Sequence, residues 1–181
     1  MDSASSAERI PVTVDQMVAA DWPNVSAIYL EGIRTGNATF ETLAPTWEQW
    51  DRMHLPVGRL VARRGRSIAG WAALSRVSQR SVYAGVAELS IYVATWARGE
   101  GAGDALMKAA ITASESAGVW TLQGSIFPEN KASLALCARN GFREVGRCER
   151  IGRREGSGAT RSWSSEEAAS LALTRFVVII G

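Results

Sequence analysis

Leu89-Ser-Ile-Tyr-Val93, Ala94-Thr-Trp-Ala97 and Arg98-Gly-Glu-Gly-Ala-Gly103 follow one another in the middle of the chain. The first belongs to a strand expected over 84–94. The last is a glycine-rich turn that opens a helix over 103–117, closed by Gly118 in a left-handed cap. A strand feeding such a turn makes an anion site, because the first N–H groups of the helix lack intrahelical partners and its dipole favours negative charge. Glycines let the backbone approach an anion closely, and Arg98 adds a charged donor. Two familiar phosphate loops do not fit. A G-x-G-x-x-G fingerprint begun at Gly99 and Gly101 meets Asp104 at its third position, and no G-K-[ST] follows for a P-loop. The spacing that fits is R-x-x-G-x-G, which a plain ligand-free turn would also satisfy.

Outward from this stretch the pattern alternates. Upstream, Ile10–Val14 reads as a short strand. A helix starts at Asp21-Trp-Pro23 with Asp21 as its cap, carries Val25, Ile28, Tyr29 and Ile33 at helical spacing, and ends at Thr35-Gly-Asn37. A second helix covers Thr46–Asp51. Arg59–Arg64 and Ser67–Leu74 form a hairpin about Gly65. In the helix over 103–117, Leu106, Ala109, Ala110, Ala113 and Ala117 are expected to share the buried face. Downstream come a strand over 119–127, a helix over Asn130–Asn140 closed by Gly141, and a strand over 142–150. The β-α-β units predict an α/β fold (α+β in its mixed sheet), with a partly parallel region and helices on both faces.

The composition narrows the function classes. The 181 residues are 46% hydrophobic, enough for one domain with its own core. Twenty basic and 18 acidic residues leave a net charge of +2, which gives no sign of nucleic-acid or anionic-membrane binding. The longest apolar run, Phe176–Ile180, is far short of the ~20 residues of a membrane span. The polar start, residues 1–9, reads as a loose tail without a secretory h-region. Cys137 and Cys148 are too few for a disulfide framework or zinc site, and His54 is the single histidine, so no metal is expected. His54 reads as a surface or helix-end residue, Cys148 as a small buried residue, and Trp71 and Trp120 as core. The expectation is a cytoplasmic domain with no nucleic-acid or membrane partner.

Three stretches together carry a resemblance: Ala87-Glu-Leu-Ser-Ile-Tyr-Val93, Arg98–Gly103, and Asn130-Lys-Ala-Ser-Leu-Ala-Leu-Cys-Ala-Arg-Asn-Gly-Phe142. With Ile28-Tyr29, Ala38-Thr-Phe-Glu41 and Pro45, they resemble the GCN5-related N-acetyltransferase (GNAT) superfamily. The likeness is nearest to its phosphinothricin and methionine sulfoximine N-acetyltransferase branch and covers residues 10–152. It implies the GNAT fold, acetyl-CoA as cosubstrate, a small amino-acid-like amine as acceptor, direct attack in a ternary complex, and a homodimer. By the same resemblance Arg98, Gly99, Glu100, Gly101, Ala102, Gly103 and Asp104 cradle the pyrophosphate. Ile91, Tyr92 and Val93 pair with the pantetheine arm, the Val93 N–H polarises the thioester carbonyl, and Asn130 and Ser133 contact the arm from the other side.

An ammonium must lose its proton before it can attack, and a carboxylate can take it. Strand alternation places Glu88, Ser90 and Tyr92 on one face, so Glu88 can face a cleft, and the resemblance implies that it is the base; a solvated strand carboxylate is the competing reading. Phe40, Arg76, Arg80, Tyr83 and Glu88 are the candidate acceptor contacts, with Glu41 near them. For Arg76, Arg80 and Tyr83, exposed loop positions are an equal alternative. Other functions compatible with the same loop are a non-catalytic acyl-CoA-binding protein and an N-acetyltransferase for a protein N-terminus, lysine or another amine.

The sequence departs from the branch at Cys137 and Leu89, each where histidine is frequent, and more widely after Gly152. The branch continues with G-x-W-R-D and an apolar strand. Here the chain has Gly156-Ser-Gly-Ala-Thr160 in a Gly-, Ser- and Arg-rich loop over 153–165. One codon spelling of that pentapeptide, GGC AGT GGC GCG ACA, reads Gln-Trp-Arg-Asp in another frame. The expectation is a frameshifted segment over 153–181, with a short helix over 165–173, and a sheet that either exposes an edge or recruits Thr174–Ile180 as its closing strand.

Overall fold

A computed structural model describes residues 10–148 and 174–180, with backbone only for the last two residues of the first span and for all of the second. The chain runs β1 (Val12–Gln16), α1 (Trp22–Thr35), α2 (Trp47–Met53), β2 (Leu60–Arg64), β3 (Ser67–Arg76), β4 (Val86–Val93), α3 (Ala102–Ser116), β5 (Thr121–Ile126), α4 (Lys131–Arg139), β6 (Arg143–Cys148) and β7 (Thr174–Ile180). The strands form one seven-stranded sheet in the order β1-β2-β3-β4-β5-β7-β6. The first four are antiparallel neighbours, while β4 with β5, β5 with β7 and β7 with β6 are parallel. The expected mixed sheet is thus present. The tail over 1–9, the loop over 153–165, the helix over 165–173 and the Cys148 side chain lie outside the described residues.

Local chemistry explains most boundaries. Thr46 caps α2, its hydroxyl accepting from the Gln49 N–H while Gln49 returns a bond to the Thr46 N–H. Gly65 takes φ 58° at the β2–β3 turn. β3 is buried on both faces from Ile68 to Leu74, which is why it reads as a nearly continuous apolar run. α3 packs against β2, β3 and β4 on one side. On the other, Trp71 of β3 stacks on Tyr92 of β4 at 4.7 Å and meets Tyr29 of α1 edge-on at 5.8 Å.

Three expectations change. Asp21 does not cap α1. Its carboxylate accepts from the Val18 N–H at 3.1 Å and from Arg63 at 2.7 Å, so it ties the helix start to β2. The buried face of α3 is Ala102, Leu106, Met107, Ala110, Ile111 and Ser114, with Ala117 exposed. The longer side chains of Met107 and Ile111 have more area to bury than an alanine and set the rotation of the helix. Ser114 joins that face by donating its hydroxyl to the Ile111 carbonyl at 2.7 Å. Trp71 is core as expected, but Trp120 is 53% exposed, its ring lying over Gly85 at the start of β4. His54 is the residue that ends α2. It stacks on Trp50 at 4.1 Å, and burial lowers its pKa.

Candidate functional site

β4 pairs with β3 along its length, to Gly70 opposite Val93, but its pairing with β5 covers only Val86–Glu88. Beyond Glu88 the two strands diverge and a cleft opens. It encloses ≈ 680 Å³, mouth included. Its walls are Glu88–Tyr92 of β4, Gly124–Phe127 at the end of β5, Asn130, Ser133, Leu136 and Cys137 around α4, Met107 of α3, and Asn37 and Ala38 after α1.

The backbone direction within β4 follows from one bond. Ala94 N–H donates to the Ala69 carbonyl of β3 at 2.9 Å. Successive amides point to opposite edges, so the N–H and C=O groups of Ile91 and Val93 face the cleft. Arg98 Nε donates to the Val93 carbonyl at 3.5 Å, which draws the arginine back over the strand end.

The turn that follows has the form an anion needs. Gly99 and Gly101 hold φ 76° and 91°, and a Cβ built on either meets no described atom within 4 Å, so the backbone faces open space. The first bond back to the turn is from Ala105 N–H to the Gly101 carbonyl at 3.0 Å. The N–H groups of Ala102, Gly103 and Asp104 therefore have no acceptor within α3. Gly103 serves packing instead: a Cβ there would lie 3.3 Å from Leu136 of α4 and 3.5 Å from Val93. Two carboxylates near the turn are neutralised. Glu100 pairs with Arg64, and Asp104 takes Lys108 at 2.8 Å, Arg139 at 3.0 Å and Asn140 at 2.9 Å. Those donors, Lys108 first, hold the Asp104 pKa well below the usual carboxylate range.

The expected site residues fall into two groups. Glu88, Ile91, Tyr92, Asn130 and Ser133 line the cleft, and Val93 ends the strand that forms its wall. Glu88 is partly buried there. The Tyr92 ring belongs to the aromatic layer on the α1 side; its hydroxyl donates to the Ala38 carbonyl at 3.3 Å, and burial raises its pKa. Phe40 stands at the rim, its ring edge-on to Phe127 at 4.8 Å. Arg76, Arg80 and Tyr83 do not line this cleft. All three are exposed, and Arg80 stacks over Tyr83 at 5.4 Å. Glu41 is exposed as well.

Cys137 lines the cleft from α4, buried, its thiol pushed up to about 11 by that burial. A thiol so protonated at neutral pH is no nucleophile. Sequence reading missed Asn37 and Ala38 as wall residues, because Thr35-Gly-Asn37 carried only a helix-stop signal. It also missed Ser125–Phe127, whose role follows from the divergence of the strands and not from residue type.

The chain matches the family model described as the acetyltransferase (GNAT) family over residues 22–142. It is 32% identical over 151 residues to a phosphinothricin N-acetyltransferase of Alcaligenes faecalis, covering 80% of this chain and 76% of that protein. A crystal structure of a GNAT-superfamily phosphinothricin acetyltransferase from Sinorhizobium meliloti, in complex with AcCoA, superposes with a TM-score of 0.70 at 26% identity. That match covers 81% of this chain and 82% of the other. The structure of a ribosomal-protein-alanine N-acetyltransferase from Brucella melitensis superposes with a TM-score of 0.71 at 30% identity, over 80% and 93% of the two chains.

Proposed function

The chain belongs to the GNAT acetyltransferase family, and from that premise we propose that it transfers acetyl from acetyl-CoA to the primary amine of a small amino-acid-like molecule of the phosphinothricin or methionine sulfoximine type. The observation that carries the reading is the divergence of β4 and β5 after Glu88, which sets an open strand edge and a carboxylate along one cleft. Acetyl-CoA supplies an acyl carbon activated as a thioester.

The residues present suit that cosubstrate. The N–H groups at the start of α3 and the left-handed Gly99 and Gly101 suit a pyrophosphate, with Arg98 adding charge. Ile91 and Val93 offer main-chain donors and acceptors to an extended arm laid beside β4. The Val93 N–H, the last on that edge, is the donor for the carbonyl oxygen on which charge gathers during attack. Glu88 accepts the ammonium proton, directly or through water, and so frees the nitrogen lone pair. No covalent acyl-enzyme is needed, since Cys137 is held protonated and the amine is itself the nucleophile.

Thiol release from acetyl-CoA tests this directly, with phosphinothricin, methionine sulfoximine and methionine sulfone as acceptors. Turnover with one of them, dependent on Glu88, supports the reading. Turnover only with an alanine-ended peptide would assign the chain to the second activity, the one named for the Brucella melitensis relative. Coenzyme A binding without turnover on any amine would make it a binding protein.

A further inference from the structure

Three polar side chains stand in one row across adjacent backbones at the Glu88 end of the cleft. His54, which ends α2, lies opposite Ser75 of β3 in an isolated antiparallel bridge. Ser75 in turn lies opposite Glu88 of β4. Residues directly opposite each other share a face of the sheet, so the three project together. The aromatic contacts place the imidazole on that face as well. His54 stacks on Trp50, Trp50 meets Trp71 edge-on at 6.0 Å, and Trp71 stacks on Tyr92, which shares the face of Glu88. The Leu55 N–H donates to the Leu74 carbonyl at 2.7 Å, which makes His54 and Ser75 a non-hydrogen-bonded pair, the closer kind. The row spans about 10 Å from its first Cα to its last.

Each member has bonding capacity to spare. His54 Nδ1 meets the Trp50 carbonyl at 2.7 Å, so Nδ1 holds the ring proton and Nε2 a lone pair. Among the described residues, nothing bonds Nε2, the Ser75 hydroxyl or the Glu88 carboxylate. All three residues are only partly buried, which leaves the row open to water. Burial, with Arg59 nearby, lowers the His54 pKa and keeps the imidazole neutral at pH 7. The charges around it are Arg59, which donates to the His54 carbonyl at 2.8 Å and pairs with Asp51; exposed Arg52 on α2; Arg76 of β3, on the opposite face by alternation; and Glu88.

Acyl transfer leaves a proton over. The acceptor enters as an ammonium and leaves as an amide. The N–C bond forms, the C–S bond breaks, and the electron pair of that bond goes to sulfur. Nitrogen gives up two protons, of which one ends on the sulfur and the other goes to solvent. Glu88 must therefore be cleared of a proton in every turnover.

We propose that Ser75 and His54 are positioning residues that act through Glu88, the row passing the surplus proton from the Glu88 carboxyl, by way of the Ser75 hydroxyl and water, to His54 Nε2 and on to bulk. The hydroxyl takes one proton and gives up its own, so the row ends each turnover as it began. The proposal rests on the acyl-transfer reading above.

Two measurements on the full-length protein decide the matter. The first is steady-state kinetics at pH 7 in dilute buffer, with phosphinothricin or methionine sulfone as acceptor. His54→Phe keeps a ring for Trp50 but has no nitrogen, and Ser75→Ala has no hydroxyl. Each should lower kcat roughly three- to tenfold, less than loss of the base itself, with both KM values unmoved. Added imidazole should restore kcat in His54→Phe, and Ser75→Thr should turn over like the wild type. An unchanged kcat in either variant, or a loss that imidazole does not relieve, overturns the proposal. Should His54→Phe fail to fold, the contrast between Ser75→Ala and Ser75→Thr decides: equal rates overturn the row.

The second measurement needs no substrate. His54 is the single histidine, so its imidazole protons are read without overlap in a proton NMR titration. Glu88→Gln removes the negative charge along the row, and the His54 pKa should fall by about 0.3 pH unit or more at low ionic strength. An unmoved titration overturns the row. Absence of transfer by the wild-type chain, beside a moved titration, would fail the acyl-transfer reading and leave the row standing.

Discussion

At the scale of single residues the proposed mechanism turns on Glu88. It is the carboxylate where β4 leaves β5, and a neutral isostere there keeps the shape of the cleft while removing the proton acceptor. Glu88→Gln should lower kcat by about 10²–10⁴-fold while coenzyme A binding, read by calorimetry, stays at the wild-type level. A variant that keeps its kcat would remove Glu88 from the mechanism. Much at this scale was readable from residue order alone. Period-two alternation placed Glu88 and Tyr92 on one face, and the R-x-x-G-x-G spacing marked Gly101, which is left-handed, together with Gly103, which lies within α3. The misreadings have physical causes. Trp120 looks like core by its size, yet it ends up lying on Gly85 at the surface, an arrangement that depends on a partner 35 positions back in the chain.

Among the elements, α3 and α4 set the width of the cleft, and Asp104 joins them. Its carboxylate binds Lys108 within α3 and reaches Arg139 and Asn140 at the end of α4. The pairs are partly exposed, so Asp104→Asn should cost only ~1 kcal/mol or less at neutral pH. The pKa of this group is lowered by folding. Its contribution is therefore whole above the unfolded carboxylate value of 3.8 and fades as the pH falls below it. Chemical denaturation of the two proteins at pH 7 and pH 3 should show a gap that narrows in acid; a gap that widens would contradict the assignment. Element identity was legible because Thr46, Gly65, Gly118, Asn130 and Gly141 punctuate the chain. The rotation of α3 was not, since alanines populate several of its faces and only packing against the sheet selects Met107 and Ile111.

For the whole molecule, the sheet depends on a strand from the most divergent part of the sequence. β7 lies between β5 and β6, in parallel register with both, from Thr121 opposite Thr174 to Cys148 opposite Ile180. Without it, two strands would present bare edges. Removing residues 174–181 should lower Tm by more than ~5 °C or yield insoluble protein; unchanged thermal melting would show that the sheet does without this strand. We propose further that residues 153–181 arise from a shifted reading frame, with β7 filling the place of the usual last strand. Sequencing the coding DNA tests this: a Trp-Arg-Asp strand in an alternate frame supports it, and its absence from every frame removes it. This half of the sheet could not be foreseen in detail, because the direction of β7 depends on a partner arrangement that no local pattern encodes.

The most direct measurement is a calorimetric titration of coenzyme A into the full-length chain, alongside a Gly101→Val variant. Valine is strained at the φ of 91° that this turn requires. Saturable one-site binding by the wild-type chain, weakened about tenfold or more in the variant, is the expected result. Folded wild-type protein that takes up no coenzyme A, or a variant that binds it equally well, would contradict the assignment of this turn and of the cleft behind it.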